Sequence, residues 1–184
     1  MSIENILKLA NENDVLDLAI ELFRTYPEIS EASGSSKPHQ HHYGDGGLIK
    51  HTEEVIQLCM LNADFFKNTY NINRQILFLA ALFHDVGKIY DYEKVNGVWH
   101  STKHKRMVHH ISRSALIWNS IATNHSKYNN EFINDVLHCI LSHHGMREWG
   151  SPVSPLTREA WLLHLCDGIS ARAYDCDTLD ITKR

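Results

Sequence analysis

Residues 79–88 read Leu79-Ala80-Ala81-Leu82-Phe83-His84-Asp85-Val86-Gly87-Lys88, an apolar run that ends in histidine, aspartate, glycine and lysine. The apolar part has the pattern of a buried helix. Aspartate and histidine are seldom fully buried unless they are paired or bind a metal, and together they form a ligand pair that Zn, Mn, Fe or Ni accepts. We interpret this stretch as the nucleus of a metal site, with Lys88 placed to reach an anion held by the metal.

The composition indicates an ordinary globular protein. At 184 residues, with 43% hydrophobic and 22% charged residues, the chain can form one domain with a sizeable core. No apolar stretch approaches membrane-spanning length and the first residues lack the pattern of a signal peptide, so we expect a cytoplasmic protein. The formal net charge of −4 disfavours a broad surface for polyanions. The four cysteines show no C-x-x-C pair and are expected to be reduced and buried.

The spacing of apolar residues predicts an all-α fold, a helical bundle with a small inserted β-hairpin. We expect a single domain over residues 1–184, with N-terminal helices over 1–27, a loop over 28–47, a catalytic core over 48–175 and a loose tail over 176–184. Asn96-Gly97 between β-prone residues predicts the hairpin. The loop is polar and rich in glycine and serine, and a solvated position is favoured for its His39 and His41.

Further histidines and one aspartate lie on apolar helical patterns, where packing alone does not require them. His51, the His84-Asp85 pair and Asp167 come from three predicted helices. Two imidazoles and two carboxylates would make a mononuclear site with open coordination positions, as a catalytic metal needs. His110, together with either His143 or His144, would supply a second metal, with Asp85 bridging the two ions.

This order of residues resembles the HD-domain superfamily of metal-dependent phosphohydrolases. Within it, the chain looks like the HD domain of bacterial exoribonucleases that trim RNA from the 3′ end. The resemblance covers roughly residues 38–175 and is carried by the segments 46–52, 80–88, 110–111, 141–145 and 148–153. Those exoribonucleases also have an N-terminal OB-fold domain, which the 37 residues before the match are too few and too helical to form. Lys50 stands where family members often have glutamate.

The resemblance and the chemistry together assign roles to the residues. They make His51, His84, Asp85 and Asp167 ligands of a first metal, and His110 and His143 ligands of a second, with His144 as the alternative to His143. Lys88 would neutralise charge on the transferring phosphoryl group, so that Lys88, Asp85 and His110 form the catalytic set.

Residues outside the predicted metal site are candidates for binding the substrate. The basic cluster Lys103, Lys105 and Arg106 would bind the substrate backbone, and Arg113 and Arg147 are further candidates for binding phosphate. Trp149 is expected to pack within its loop, with stacking on a base as the alternative.

The predicted function is hydrolysis of a phosphoester in a nucleotide or at the end of a single-stranded nucleic acid, by a metal-activated hydroxide. This describes a hydrolase of the phosphodiesterase, nuclease or nucleotidase type. One or two divalent ions are expected, with Mn, Fe, Ni, Co and Zn all suited to histidine and aspartate ligands and Mg also compatible. The alternatives are a di-iron oxygenase of the HD type and a non-catalytic module that binds a nucleotide for signalling.

Overall fold

A helix that is buried on all sides lies at the centre of the fold. The computed structural model of the chain describes residues 3–178, with side chains described for residues 3–173. Helix α4 (Arg74–Phe83) is buried at every position from Ile76 to Phe83, which explains why the sequence there is apolar on all faces. Asn73 caps its N-terminus by accepting hydrogen bonds from the N–H groups of Gln75 and Ile76.

The other described elements surround α4 and confirm the predicted all-α fold with one hairpin. In chain order they are α1 (Ile3–Glu12), α2 (Leu16–Thr25), a 3-10 helix (Pro27–Ser30), α3 (Gly47–Phe66), then α4, α5 (Lys88–Asp91), β1 (Tyr92–Val95), β2 (Val98–Ser101), α6 (Lys103–Met107), α7 (His110–Ala122), α8 (Asn130–Ser142), a second 3-10 helix (Arg147–Trp149) and α9 (Arg158–Thr178).

The long helices form one hydrophobic core around α4. Helices α3, α7, α8 and α9 each pack against α4, while α1 and α2 pack against each other and against α3 and α7 respectively. The ring of Trp118 on α7 packs edge-on against Phe83, with 5.1 Å between ring centroids. Cys59, Cys139 and Cys166 are buried free thiols, as predicted, and the side chain of Cys176 lies outside the described part of the chain.

The hairpin has the predicted turn. Strands β1 and β2 pair in antiparallel register, with Val95 opposite Val98. The two turn residues, Asn96 and Gly97, have φ angles of 51° and 80°. Positive φ at both central positions defines a turn whose twist matches that of the strands, and asparagine followed by glycine tolerates it best.

The loop before α3 is packed more tightly than a solvated loop would be. His42 is buried with a φ of 55°, and its carbonyl accepts a hydrogen bond from the N–H of Gly34 at 2.9 Å. A side chain on Gly34 or Gly47 would collide with the backbone of His42, so both glycines are required by this close approach. His39 is exposed, but the ring of His41 lies 5.9 Å from the ring of His51. His41 is therefore half-buried rather than fully solvated, and it lies beside a predicted metal ligand.

The last helix is longer than predicted. Helix α9 continues to Thr178, three residues beyond the expected end of the core at residue 175, while residues 179–184 of the predicted tail lie outside the described range. Among residues 3–178, no helix combines the length and apolarity required to cross a lipid bilayer.

Candidate metal centre

The fold brings the six predicted metal ligands to one buried place. His51 lies on α3, His84 and Asp85 follow the C-terminus of α4, and His110 is the first residue of α7. The remaining two are His143, directly after α8, and Asp167 on α9. The helices that pack around α4 therefore each deliver a polar side chain to the end of α4.

One half of the site gathers around Asp85 Oδ2. The Nε2 atoms of His51 and His84 lie 3.4 and 3.5 Å from this oxygen. Asp167 Oδ1 is 3.1 Å from His51 Nε2 and 3.9 Å from His84 Nε2. The two Nε2 atoms are themselves 3.3 Å apart. Two imidazoles and two carboxylates therefore face one small volume.

The other half of the site gathers around Asp85 Oδ1. The Nε2 atoms of His110 and His143 lie 3.4 and 3.7 Å from this oxygen. His144 joins them, because its Nε2 is 3.3 Å from His110 Nε2. The structure thus turns both adjacent histidines toward the same group, so that His143 and His144 are not mutually exclusive. Asp85 stands between the two halves and presents one oxygen to each.

Backbone carbonyls orient three of the imidazoles by accepting hydrogen bonds from Nδ1, the ring nitrogen that points away from the cluster. The Nδ1 atoms of His84 and His143 lie 2.8 and 2.7 Å from the carbonyls of Ala81 and Ile140. His144 Nδ1 lies 3.1 Å from the Trp149 carbonyl. Because a carbonyl oxygen can only accept, each Nδ1 carries the proton, and each Nε2 has a free lone pair, which faces Asp85 in His84 and His143 and His110 Nε2 in His144.

Side chains fix the other two imidazoles in the same way. Ser170 Oγ donates to Glu54 at 2.8 Å, so it accepts from His51 Nδ1 at 3.0 Å. His110 Nδ1 donates to Asp91 Oδ2 at 3.2 Å, and the buried Asp91 also accepts from the backbone N–H of His110. Such outer partners set the tautomer and orientation of histidines that bind metals.

The half of the site around Asp85 Oδ1 contains buried electron-pair donors that no hydrogen bond from the described residues satisfies. Burial lowers the pKa of His110 to about 4. Burial, and then the proximity of the His143 and His110 rings, lower the pKa of His144 to about 3, so neither His110 nor His144 is protonated at neutral pH. Their Nε2 lone pairs then face each other with no proton between them. Asp85 Oδ1 and His143 Nε2 are buried and have no hydrogen-bond partner. Buried polar atoms without a partner are rare and costly, and a divalent cation would satisfy this whole set.

The half around Asp85 Oδ2 fits either a proton or a metal. Burial alone would lower the pKa of His51, but hydrogen bonds to Asp167 and Asp85 raise it to about 9. In the absence of metal His51 therefore carries a proton that bonds to Asp167. His51, His84 and Asp167 each offer a ligand atom within 4.8 Å of the others, as do His110, His143 and His144.

Lys88, predicted to act at the site, lies beside Asp85. Its buried Nζ lies 2.6 Å from Asp85 Oδ2. Burial would lower the pKa of Lys88, but the charge of Asp85 raises it above the ordinary value, so the ammonium group keeps its charge inside the protein.

The other predicted phosphate-binding residues lie outside the cluster of ligands. Arg113 Nε donates to His104 at 3.1 Å, and its guanidinium lies 4.8 Å from the centre of the Tyr90 ring. Lys105 donates to the hydroxyl of Tyr92 at 3.0 Å. Lys103 and Arg106 share the short helix α6 with Lys105, and Arg147 lies on the exposed turn that ends at Trp149. Within residues 3–173, no polar contact joins Lys103, Arg106 or Arg147 to the histidine cluster.

Three supporting residues were missed by the sequence reasoning, and they share one signal. Glu54, Asp91 and Ser170 each follow a predicted site residue by three positions, namely His51, Lys88 and Asp167. Residues three apart on a helix lie on the same face. Each of these three side chains therefore lies about one helical turn from a predicted site residue and faces the same side of its helix. A search for polar residues at this spacing would have listed them as candidates, but without the contacts that show what each one supports.

A surface cleft of about 450 Å³ opens beside the cluster. It shares His144 and Asp167 with the site and is otherwise lined by His41, Trp149, His164, Gly168, Ala171 and Arg172. The cleft connects solvent with two of the residues predicted to bind metal, His144 and Asp167.

Comparison with protein families identifies the region that contains the site. The family model described as HD domain matches residues 48–172, which include all six predicted ligands. No solved structure matches the chain.

The chain is also similar to bacterial proteins named 3′-5′ exoribonuclease YhaM. It is 34% identical over 132 residues to the protein of Oceanobacillus iheyensis, and 30% identical over 132 residues to that of Bacillus subtilis. It is 33% identical over 131 residues to a protein of Listeria monocytogenes. These matches cover 71–72% of the chain, which spans only 40% of the length of each relative.

Proposed function

Since the chain belongs to the HD domain family, we propose that it is a metal-dependent hydrolase of phosphoesters whose reaction takes place at Asp85. The observation that carries the proposal is the position of this buried carboxylate, with one oxygen facing His51 and His84 and the other facing His110 and His143. A carboxylate shared by two groups of nitrogen ligands is the arrangement that two-metal hydrolases use.

The donor set divides into two ligand groups. His51, His84, Asp85 and Asp167 would hold one divalent ion, and His110, His143 and His144 would hold a second, with Asp85 contributing to both. Bound there, the ions would supply Lewis acidity. This would polarise a phosphoryl oxygen and lower the pKa of a water molecule, so that hydroxide is available at neutral pH to attack phosphorus. The ligand types fit Mn, Fe, Co, Ni or Zn.

Lys88 would stabilise negative charge that develops on the phosphoryl group. Its ammonium group donates to Asp85 Oδ2 and has two further N–H bonds for an anionic oxygen. The raised pKa keeps Lys88 charged at neutral pH, and burial removes the competing water that would weaken its interaction. Because Asp85 holds the ammonium in place before substrate binds, little reorganisation is needed during the reaction.

His110 would serve as a ligand whose orientation is fixed by Asp91. Asp91 accepts hydrogen bonds from the backbone and the imidazole of His110 and, at 2.8 Å, from Nδ1 of His104. This network holds the His110 ring with Nε2 toward Asp85 and connects it to the basic helix α6.

We infer that the substrate is a phosphodiester at the 3′ end of a single-stranded RNA, or a nucleotide released from one. The relatives at 30–34% identity are named 3′-5′ exoribonucleases. The basic residues of α6, together with Arg113 and Arg147, supply positive charge near the site for the substrate backbone, although the chain as a whole is acidic.

The test uses a 5′-labelled oligoribonucleotide and protein freed of metal by chelation. We expect shortening from the 3′ end that requires added Mn²⁺ and stops with excess chelator. Lys88→Gln should slow the reaction about a hundredfold or more, because it removes a preorganised cation. Lys94→Gln is the matched control, since Lys94 also binds an aspartate, Asp45, but on the surface. Failure of metal-loaded protein to cleave either RNA or bis-para-nitrophenyl phosphate would contradict the proposal.

A further inference from the structure

We infer that the cleft beside Asp167 binds the base of the nucleotide at the reacting end, with Trp149 as the surface on which that base stacks. The inference rests on the proposed function, because it places the phosphate of the same nucleotide at Asp85. It assigns to Trp149 the role that the sequence alone ranked below packing within the loop.

The position of the cleft connects it with the reaction site. His144 and Asp167 belong to both, so a molecule whose phosphate reaches the ligand cluster would extend directly into the cleft. Its volume of about 450 Å³ lies in the lower part of the ordinary range for small-molecule sites, about 300–1,000 Å³. A single nucleoside fits such a space, whereas a folded domain does not.

Trp149 has the exposure of a binding residue and not that of a packed one. The residue is 62% exposed although tryptophan is among the largest apolar residues. The indole is stacked on the imidazole of His164, with 6.0 Å between ring centroids and 27° between planes. One face of the indole is covered by His164, and the exposed remainder of the ring is open to the cleft.

Hydrogen bonds connect the loop of Trp149 and the ring beneath its indole to the predicted metal ligands. Its carbonyl accepts from His144 Nδ1 at 3.1 Å, and His164 Nδ1 donates to the carbonyl of His143 at 2.8 Å. Gly145, with a φ of 85°, lies so close to the His164 ring that any side chain there would strike it. A platform that is already in place costs little conformational entropy when a ligand binds.

Gly168 keeps the floor of the cleft open. It lies within helix α9, one residue after Asp167, and a Cβ added there would meet nothing within 4 Å. Glycine is a poor helix former, and no neighbouring atom requires its small size. Its presence is explained if the space above it has to admit a ligand. Stacking uses only the face of a base, so the site would accept any of the four bases.

The experiment measures binding to Mn²⁺-loaded protein by calorimetry, with adenosine 5′-monophosphate and ribose 5-phosphate as probes. The two differ only in the base. We expect the first to bind wild type at least about tenfold more tightly, in keeping with the strength of base stacking on aromatic side chains. Trp149→Ala should remove this difference without changing the affinity for ribose 5-phosphate, and Trp149→Phe should retain most of it.

Two further variants separate the cleft from general effects on folding. Trp161→Ala is the matched control, because Trp161 also contacts the His164 ring, at 5.9 Å between centroids, but lines a different surface groove. It should keep the preference for adenosine 5′-monophosphate. Gly168→Leu places a larger side chain in the cleft, at a position where an added Cβ meets no atom within 4 Å, and should abolish that preference while ribose 5-phosphate still binds.

The possible results distinguish this inference from the proposed function. Equal binding of the two probes to wild type, or a preference that survives in Trp149→Ala, would overturn the inference even if the same preparation hydrolyses RNA. A preference that depends on Trp149 in a protein that hydrolyses no phosphoester would support the base site and refute the hydrolase proposal.

Discussion

At the scale of single residues, Asp85 organises the site because its two oxygens have different neighbours. Sequence reasoning predicted Asp85 and five further ligands because each is a polar residue on or beside an apolar helical pattern, and the structure brings these six side chains together. It did not find Asp91 or Ser170, whose importance comes from long-range contacts with His110 and His51. Nothing in a single sequence states which polar residue of one helix meets which residue of another.

The protonation of His51 makes metal binding depend on pH. Without metal, hydrogen bonds to Asp167 and Asp85 outweigh the effect of burial and set the pKa of His51 at about 9, so the ring is charged at pH 7. Burial lowers the pKa of His84 to about 4, so that ring is already neutral. A metal needs the neutral form of both. We predict release of about one proton when an ion binds at His51, with the apparent affinity rising up to about tenfold per pH unit between pH 7 and 9.

Calorimetric titration with Mn²⁺ in two buffers of different ionisation enthalpy measures this release directly. The release should fade as the pH rises above 9, because His51 has then lost its proton before the metal arrives. An observed enthalpy that is the same in both buffers at pH 7 would contradict the assignment of His51 as a ligand.

At the scale of elements, the predictable parts are those with a local signal. The apolar pattern of α4 and the Asn96-Gly97 turn were each readable from a few neighbouring residues, and the structure confirms them. The packing of the loop before α3 was not readable, because it depends on the contact between Gly34 and His42 across several residues. The close approach of α7 to Gly87 is likewise a tertiary contact.

This close approach predicts opposite effects for the same substitution at two glycines. A methyl group on Gly87 would collide with the backbone carbonyl of His110 and lie 2.9 Å from Arg113 Cβ, so Gly87→Ala should push α7 away. We expect a loss of about 1–3 kcal/mol in the free energy of unfolding, as for other overpacked sites. Gly168→Ala should raise the free energy of unfolding by about 0.5–1 kcal/mol, because alanine is a better helix former than glycine and no atom lies within 4 Å of the added methyl group.

Urea unfolding followed by circular dichroism measures both effects. Because His110 moves with α7, Gly87→Ala should also weaken the binding of metal, whereas Gly168→Ala should not. Equal stability of the two variants would show that α7 does not press on Gly87 as described.

At the scale of the whole molecule, we propose that the N-terminal helices and the catalytic core unfold together as one domain. Helices α1 and α2 pack against α3 and α7 and share the core that surrounds α4. The predicted ligands come from three helices, α3, α7 and α9, and from the turns that follow α4 and α8, so a bound metal would join parts of the chain that are distant in sequence. Folding and metal binding should therefore be thermodynamically coupled.

The coupling predicts how heat and metal act on the protein. Metal-free protein should unfold in a single transition, and saturating Mn²⁺ should raise the midpoint by about 5–10 °C if its concentration is about a hundred times the dissociation constant. Differential scanning calorimetry measures both. Two separate transitions, or a midpoint unaffected by Mn²⁺, would contradict the proposed single domain or its coupling to the metal, respectively.

The most direct test of the central claim is to measure metal content and phosphodiester hydrolysis together for wild type, Asp85→Asn and Asp45→Asn. Asp45 is an exposed carboxylate that binds Lys94 and Trp99 on the hairpin, so its variant controls for the loss of one charge. We predict about one or two divalent ions per chain and hydrolysis of bis-para-nitrophenyl phosphate for wild type and Asp45→Asn. In Asp85→Asn both should be lost. Retention of metal and turnover in Asp85→Asn, or bound metal without any hydrolysis in wild type, would contradict the account.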